Sequence, residues 1–325
     1  MPRVALAGDV MLGRHVGERL REAGAEHVWG GTLPALLAAD LRFVNLECVV
    51  SNRGAPVDKT FNFRAPPEAI AALRAAAIDA VTLANNHVFD YGPEAFVDML
   101  ERLDAAGIAR AGAGRDADEA WTPAFVESRG MRVGLLAFTD NEPGWAAGPS
   151  RPGVAWCPIE PGSRAHGSLL ARVARAHRAC DALVVAAHWG PNMRTRPTRA
   201  FETFARSVVD AGAAVFWGTS AHVIQGVERR RRSLILYDTG DFVDDYRVDP
   251  RLRNDRSFLY EVDLGHGEAR ALRLTPVLID PRRAAVDLAP GEDAEATRRA
   301  LDRRSRAYGS RFDEEGGRLV MRAAH

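Results

Sequence analysis

The sequence predicts an α/β fold with either one mixed sheet or two packed sheets. The chain has 325 residues, 46% of them hydrophobic, so it can bury a large core. Up to about residue 240, short apolar runs alternate with segments of helical periodicity, which is typical of β-α-β units. Beyond that point, apolar runs follow one another without a helix between them, as in antiparallel sheets.

In the first half, each element is assigned from apolar periodicity and from the glycines and prolines that bound it. Strands are predicted at residues 3–7, 41–46, 80–83, 108–111, 124–127 and 131–138. A helix is predicted after Arg14, where Val16 and Leu20 share one face. Two more are predicted at residues 66–76, which begin with two prolines, and at residues 93–106, which end before the C-capping Gly107.

In the second half, the same signals predict helices at residues 164–180 and 199–211 and a charged helix at 295–308. Strands are predicted at residues 182–187, 213–217, 233–237, 258–262 and 269–279. The four arginines at 229–232, between two apolar stretches, predict a solvated turn. No linker forces a domain boundary, so we expect one domain over residues 1–325, with residues 281–325 as a C-terminal extension.

The composition excludes some classes of protein and favours others. Lys+Arg and Asp+Glu each total 43, so a nucleic-acid-binding protein, which is usually strongly basic, is not expected. No apolar run approaches the roughly 20 residues of a membrane span. The three cysteines lie far apart, which favours a reducing compartment over a disulfide framework. Because the first residues also lack a signal-peptide pattern, we expect a cytoplasmic protein without membrane contact.

Polar side chains that bind metals or move protons follow one predicted strand after another. They are Asp9, Glu47, Asn86, His87, His188, His222 and Asp241. Ligands of α/β sheets bind beyond the carboxyl ends of the strands, where residues distant in sequence converge. Carboxylates, an amide and imidazoles together suit divalent ions such as manganese, iron or zinc, and such an ion activates water for hydrolysis.

Taken singly, several of these residues have a simpler explanation. Asp9 after a strand is more often a helix N-cap, and a lone histidine there is more often a structural residue. Asn86 next to Asn85 is typical of a turn. Glu47 is different, because a carboxylate between apolar neighbours needs a partner. The joint occurrence of all these residues at strand ends favours a functional site.

The motifs around these residues follow a common pattern from residue 5 to about residue 276. They read Gly-Asp-Val-Met-Leu-Gly-Arg at 8–14, Asn-Leu-Glu at 45–47, Leu-Ala-Asn-Asn-His at 83–87, His-Trp-Gly at 188–190, Gly-Thr-Ser-Ala-His at 218–222 and Tyr-Asp-Thr-Gly-Asp-Phe at 237–242. Together they resemble the CapA family of capsule-biosynthesis proteins, which is tied to poly-γ-glutamate synthesis and is similar to calcineurin-like metallophosphoesterases. The resemblance implies a four-layer α/β/β/α sandwich of two mixed sheets.

The resemblance also assigns the metal ligands. Asp9 and His222 would bind a first metal ion, and Asn86 and His188 would bind a second. Glu47 would take the place of the carboxylate that bridges the two ions.

A neighbouring pair is assigned to proton transfer. His87 would lie near the leaving group as a general acid, and Asp90 is placed to hold its imidazole and raise its proton affinity. The chain departs from the phosphoesterase pattern at Met11, Thr219 and Asp241, where histidine, histidine and asparagine are usual. Loss of the imidazole at Thr219 leaves the choice between one ion and two open, and Asp241 offers a compensating carboxylate if it points inward.

Three cations are candidate contacts for an anionic substrate. Lys59 and Arg64 flank the Phe-Asn-Phe segment at 61–63, and Arg14 follows a glycine in the first loop. Each can hold a phosphate or carboxylate, and arginine can do so with two hydrogen bonds. A solvated loop with two core phenylalanines explains residues 59–64 equally well.

The leading interpretation is a metal-dependent hydrolase that acts on a phosphoester or related bond of a small or polymeric anionic substrate. An alternative is an accessory protein that binds poly-γ-glutamate or another anionic polymer without turnover. A third is a metal-poor scaffold, suggested by Thr219. The sequence does not predict the substrate, the metal or the oligomeric state.

Overall fold

The computed structural model describes residues 1–322 and shows strands and helices along the whole of that range. The strands are β1 Arg3–Val10, β2 Leu41–Leu46, β3 Val49–Val50, β4 Arg64–Ala65, β5 Ala80–Thr82, β6 Ala109–Ala111, β7 Ala113–Gly114, β8 Ala124–Ser128, β9 Met131–Thr139, β10 Gly153–Val154, β11 Ala182–His188, β12 Val215–Thr219, β13 Val227–Arg230, β14 Ser233–Leu236, β15 Asp241–Val243, β16 Arg256–Gly265, β17 Glu268–Asp280, β18 Ala285–Leu288, β19 Asp313–Glu315 and β20 Arg318–Arg322. The α-helices are α1 Arg14–Ala23, α2 Leu33–Ala38, α3 Ala69–Ala75, α4 Gly92–Ala106, α5 Ala117–Ala120, α6 Arg164–His177, α7 Arg199–Asp210 and α8 Gly291–Ser305. Short 3-10 helices lie at His27–Thr32, Pro143–Trp145 and Arg306–Tyr308.

The strands form two large mixed sheets and two short strand pairs. The first sheet has the order β19-β20-β17-β16-β1-β2-β5-β6, with β15 also paired to β1 and β18 to β17. Within it, β1, β2, β5 and β6 are parallel, whereas β16 and β17 run antiparallel to their neighbours. The second sheet has the order β13-β14-β12-β11-β9-β8, with β9, β11, β12 and β14 parallel. The mixed α/β class predicted from the sequence is therefore confirmed.

Three hydrophobic cores hold the sheets and helices together. One lies between the first sheet and helices α1, α3 and α4, the second between the two sheets, and the third between the second sheet and helices α6 and α7. In strand β2, Phe43 belongs to the core between the sheets, while Val44 and Leu46 belong to the core under the helices. A strand that is buried on both faces needs apolar residues at successive positions, which explains the continuous apolar runs in the sequence.

The predicted elements differ from the observed ones mainly at their ends. Strand β1 continues to Val10, beyond the predicted end at residue 7, because β2 and β15 pair with its last residues. Asp9 therefore lies inside a strand, and the residue that precedes α1 is Gly13, so the helix-cap explanation of Asp9 is wrong. The helix expected from residue 66 begins at Ala69, and the helix expected to reach residue 180 ends at His177.

The last part of the chain adds strands that the sequence pattern did not predict. Strands β18 and β20 both pair with β17, and β19 pairs with β20, so these three strands extend the first sheet. Leu301 of α8 packs into the core between the sheets. The run of arginines forms the end of β13 and the turn into β14, with Arg231 at a φ of 53°. Within residues 1–322, no helix has both the length and the apolar character needed to cross a membrane.

We predict that Gly8→Ala destabilises the protein. Strand β15 approaches β1 at this point, and a methyl group on Gly8 would lie 1.8 Å from the carbonyl oxygen of Gly240. Because that oxygen accepts the N–H of Asp9 at 3.0 Å, the backbones of both strands have to shift. We expect the free energy of unfolding to fall by about 1–3 kcal/mol, measured as a lower urea midpoint.

Gly167→Ala is the matched control. Gly167 is exposed on α6, and no atom would lie within 4 Å of the added methyl group. Alanine is the better helix former, so this variant should gain about 0.5–1 kcal/mol. Equal midpoints for the two variants would contradict the close approach of β1 and β15.

Candidate metal centre

Four side chains from distant parts of the sequence meet at the ends of the strands. They are Asp9 in β1, Glu47 directly after β2, His222 after β12 and Asp241 at the start of β15. One ligand atom from each lies within 4.8 Å of the ligand atoms of the other three. The parallel pairing of β1 with β2 and with β15 produces this arrangement, since it places Asp9 directly beside Asp241.

Glu47 lies at the centre of the group and is fully buried. Its Oε2 accepts a hydrogen bond from the Tyr246 hydroxyl at 3.0 Å, whereas its Oε1 has no hydrogen-bond partner. Three imidazole Nε2 atoms surround that oxygen, with His188 at 3.7 Å, His87 at 3.9 Å and His222 at 4.0 Å. A buried carboxylate oxygen without a partner is unfavourable unless a cation binds it.

His222 connects the two aspartates of the cluster. Its Nδ1 lies 2.8 Å from Asp241 Oδ1 and 3.5 Å from Asp9 Oδ2. The other oxygen of Asp241, Oδ2, is buried without a hydrogen-bond partner. His222 has a φ of 56°, a left-handed conformation that costs free energy in a residue other than glycine and is often found at functional sites.

His188 contacts Asn86, Thr219 and Asn45. Its Nε2 is 2.9 Å from Asn86 Oδ1, and its Nδ1 is 3.0 Å from Thr219 Oγ1. Asn45 donates to Asp9 Oδ1 at 2.7 Å and lies 3.2 Å from the His188 ring. Thr219, where the resemblance led us to expect a histidine, therefore contacts the His188 ring.

His87 stacks on Phe63 with 4.0 Å between the ring centres. Its Nδ1 lies 2.5 Å from Asp90 Oδ2, and Asp90 also accepts hydrogen bonds from the Lys59 ammonium at 3.0 Å and from the Phe63 N–H at 2.7 Å. Burial lowers the pKa of His87 to about 4, although Asp90 acts in the opposite direction. Burial therefore favours the neutral imidazole more strongly than Asp90 favours the protonated one.

Burial and neighbouring charges shift the pKa values of the three cluster carboxylates in different directions. Burial raises the pKa of Glu47 well above its ordinary value, and the charge of Asp9 adds to this effect. Burial also raises the pKa of Asp241. Burial would raise the pKa of Asp9 as well, but the charges of His188 and His222 and the hydrogen bonds from His188 and Asn45 hold it below its ordinary value.

The donor set fits a divalent cation. Two ligands that each lie about 2.0–2.2 Å from one ion are themselves about 3 to 3.5 Å apart, and the pairs His222–Asp241 and His222–Asp9 are separated by 2.8 and 3.5 Å. Oxygen and imidazole ligands suit manganese, iron or zinc. Glu47 Oε1, which is buried without a hydrogen-bond partner, is an atom that such an ion would satisfy.

A cavity of about 320 Å³ opens onto the cluster. His87 and His222 line it, together with Phe63, Tyr246 and Arg14. The Arg14 side chain is 43% exposed, and its Nε lies 3.3 Å from Asp245. Arg247 and Phe61 also line it, so the cavity presents two arginines, two imidazoles and three aromatic rings to a ligand.

The other two predicted substrate contacts are engaged elsewhere. Lys59 donates to the backbone carbonyl of Asn86 and to Asp90, so it supports the residues that hold His87. Arg64 lies over the Tyr91 ring, 4.1 Å from its centre, and is not among the residues that line the cavity.

Two residues of the site were not selected from the sequence. Asn45 could have been found, because it is the one amide within the apolar run of β2, and a buried polar residue there needs a purpose. Tyr246 could not, because it lies in an irregular segment between β15 and β16 where no periodicity indicates which side chains are buried.

Comparisons with known proteins agree with these motifs. A family model described as "Bacterial capsule synthesis protein PGA_cap" matches residues 3–246. A probable polyglutamine synthesis accessory protein of Mycobacterium tuberculosis (strain CDC 1551 / Oshkosh) is 31% identical over 353 residues, covering 95% of this chain and 92% of that protein. The capsule biosynthesis protein CapA of Bacillus anthracis is 29% identical over 252 residues, covering 74% of this chain and 59% of that protein.

A third relative gives the same result. The PGA biosynthesis protein CapA of Bacillus subtilis (strain 168) is 28% identical over 245 residues, covering 74% of this chain and 63% of that protein. The matched range contains every residue of the metal cluster. The chain therefore belongs to the PGA_cap family of bacterial capsule synthesis proteins, and the resemblance to CapA is confirmed.

Proposed function

We propose that this protein is a metal-dependent hydrolase that cleaves a phosphoester or related bond in a small or polymeric anionic substrate. The proposal rests chiefly on Glu47 Oε1, a buried carboxylate oxygen without a hydrogen-bond partner, surrounded by three imidazoles beneath an open cavity. A divalent ion bound there would lower the pKa of a water molecule and supply a nucleophile at neutral pH. We further propose a four-layer α/β/β/α arrangement, which the order of the three cores supports.

In this proposal, one set of residues binds the metal and another set binds the substrate. Asp9, Asp241 and His222 would hold one ion, Asn86 and His188 would hold a second, and Glu47 would contribute to both. A single ion on the first set is equally consistent with the proposal.

The substrate would meet cationic and proton-transferring groups in the cavity. Arg14 at the cavity wall would hold its negative charge. His87 faces the same cavity, and Asp90 orients its ring. A bound anion raises the pKa of a nearby imidazole, so His87 would gain its second proton when the substrate binds and then donate it to the leaving oxygen.

The accessory role is the second candidate, favoured by the name of the mycobacterial relative that covers nearly the whole chain. To distinguish the hydrolase from the accessory protein, the purified protein is incubated with phosphomonoester, phosphodiester and amide substrates in the presence of manganese, zinc or iron. Turnover that depends on the metal supports the hydrolase. Retention of an anionic polymer without any turnover supports the accessory protein, and protein that takes up no metal would point to a metal-poor scaffold.

We predict that Glu47→Gln and His222→Ala lower the metal content of the purified protein. Both residues contribute ligand atoms to the cluster, and loss of one ligand weakens an ion bound by few groups. Elemental analysis after incubation with manganese or zinc measures the effect. The matched controls are Glu228→Gln and His166→Ala, which alter a buried carboxylate and a buried imidazole that belong to no such cluster within residues 1–322. Full metal occupancy in both cluster variants would mean that the ligands are assigned wrongly.

We predict that Tyr246→Phe weakens metal binding without removing a ligand. The Tyr246 hydroxyl donates to Glu47 Oε2 and so directs Oε1 towards the cluster. Loss of a hydrogen bond that orients a metal ligand typically costs about 10–100-fold in affinity. Competition with a chromophoric chelator measures the dissociation constant, and Tyr308→Phe, which removes a hydroxyl hydrogen-bonded to Glu202, is the control. Unchanged affinity in Tyr246→Phe would exclude this positioning role.

We predict that His87→Asn retains its metal but loses about 10²–10⁴-fold in turnover, the usual contribution of a general acid. The loss should be largest for substrates with poor leaving groups, because a good leaving group departs without a proton. Steady-state rates over a series of aryl esters with different leaving-group pKa values test this. An equal loss across the series would refute the acid role, and loss of metal would make His87 a ligand.

A further inference from the structure

A second cavity, of about 270 Å³, lies beside helix α8 and is walled largely by arginines. The arginines that line it are Arg251, Arg253, Arg256, Arg299, Arg303 and Arg304. Within the part of the chain that the structure describes, no aspartate or glutamate is among its lining residues. The segment at residues 251–256 contributes to both cavities, since Asn254 lines the metal-site cavity.

Only part of this positive charge is neutralised. The ion pairs are Arg253 with Asp255 and Asp293, Arg256 with Asp293, and Arg299 with Glu295. Arg251, Arg303 and Arg304 have no carboxylate oxygen within 4.0 Å, counting residues 1–322. Three of the six guanidinium groups thus form ion pairs, and those of Arg251, Arg303 and Arg304 form none in the described range.

Arg304 is held in place with most of its donors unused. One of its N–H groups donates to the backbone carbonyl of Ile224, two residues after His222. No other hydrogen bond involves its guanidinium in the described range. Burial lowers the pKa of Arg304, and the nearby charges of Arg303 and Arg196 act in the same direction. A half-buried guanidinium among other cations is unfavourable unless an anion joins it.

We propose that this cavity binds a multiply charged oxyanion, at a site separate from the metal centre. Guanidinium groups match the paired oxygens of both phosphates and carboxylates with two parallel hydrogen bonds. The chemistry shared by the possible ligands is thus two or more negative charges on oxygen, supplied either by a phosphate compound or by an oligocarboxylate. This proposal does not depend on the hydrolase function.

The test is a calorimetric titration of metal-free protein with inorganic pyrophosphate and, separately, with citrate. Metal-free protein is used because the carboxylates of Asp9, Glu47 and Asp241 then repel anions from the metal centre. We expect binding of at least one anion, and a weakening of about tenfold or more in the double variant Arg251→Ala/Arg303→Ala, because charge-assisted hydrogen bonds are lost. Both side chains belong to exposed residues without ion pairs in the described range, so the fold should be retained.

Arg178→Ala, at an exposed position after α6, is the matched control and should bind as the unaltered chain does. Tighter binding of pyrophosphate than of citrate assigns the site to phosphate compounds, and the reverse order assigns it to oligocarboxylates. No binding of either anion, or equal binding by the double variant and the control, would overturn the proposal. The titration measures binding and not turnover, so a negative result does not contradict the proposed hydrolase function. Likewise, a protein that hydrolyses none of the substrates could still bind an anion in this cavity.

Discussion

Burial of three carboxylates in one place is the constraint on which the rest of the site depends. Asp9, Glu47 and Asp241 are all at most 1% exposed, and removing an ion from water costs several kcal/mol unless other groups replace the water. Side chains of the protein replace only some of the hydrogen bonds that water would make to these carboxylates. Asn45, Tyr246 and His222 each satisfy one oxygen of these carboxylates, and the other oxygens of Glu47 and Asp241 are buried without a hydrogen-bond partner.

Very close contacts between backbone segments bring these carboxylates together. Gly8 leaves room for the carbonyl of Gly240, and a methyl group on Gly218 would lie 2.0 Å from the carbonyl oxygen of Tyr237. These contacts position Asp9 at the end of one sheet and the loop that carries His222 at the end of the other. The left-handed backbone of His222 is a local cost of about 1–3 kcal/mol that the surrounding structure must offset.

Charge is segregated within a chain whose formal net charge is zero. The candidate metal centre gathers buried carboxylates, and the cavity beside α8 gathers arginines. The segment at residues 251–256 and the loop after β12 contribute to both regions. Membership of the PGA_cap family does not by itself distinguish catalysis from polymer binding, since function depends on sites and not on the fold. The geometry around Glu47 is what favours catalysis.

The sequence by itself determined the α/β class, the cores of most helices and strands, and the residues that gather at the strand ends. Apolar periodicity reports which residues are buried, and the parallel order of strands brings polar residues at their ends together. Asn45 could also have been selected on the same reasoning. Short strands such as β15 carry too few residues for a pattern, so the position of Asp241 inside a strand pair was not predictable.

Only the tertiary structure decided which partners these residues contact. Lys59 pairs with Asp90, Arg64 stacks on Tyr91, and Tyr246 reaches Glu47 across 199 residues of sequence. The lowered pKa of His87 follows from burial that outweighs its neighbouring carboxylate. Such outcomes depend on distances between atoms that are remote along the chain and on how completely water is excluded, and neither quantity is encoded in the local pattern of residues.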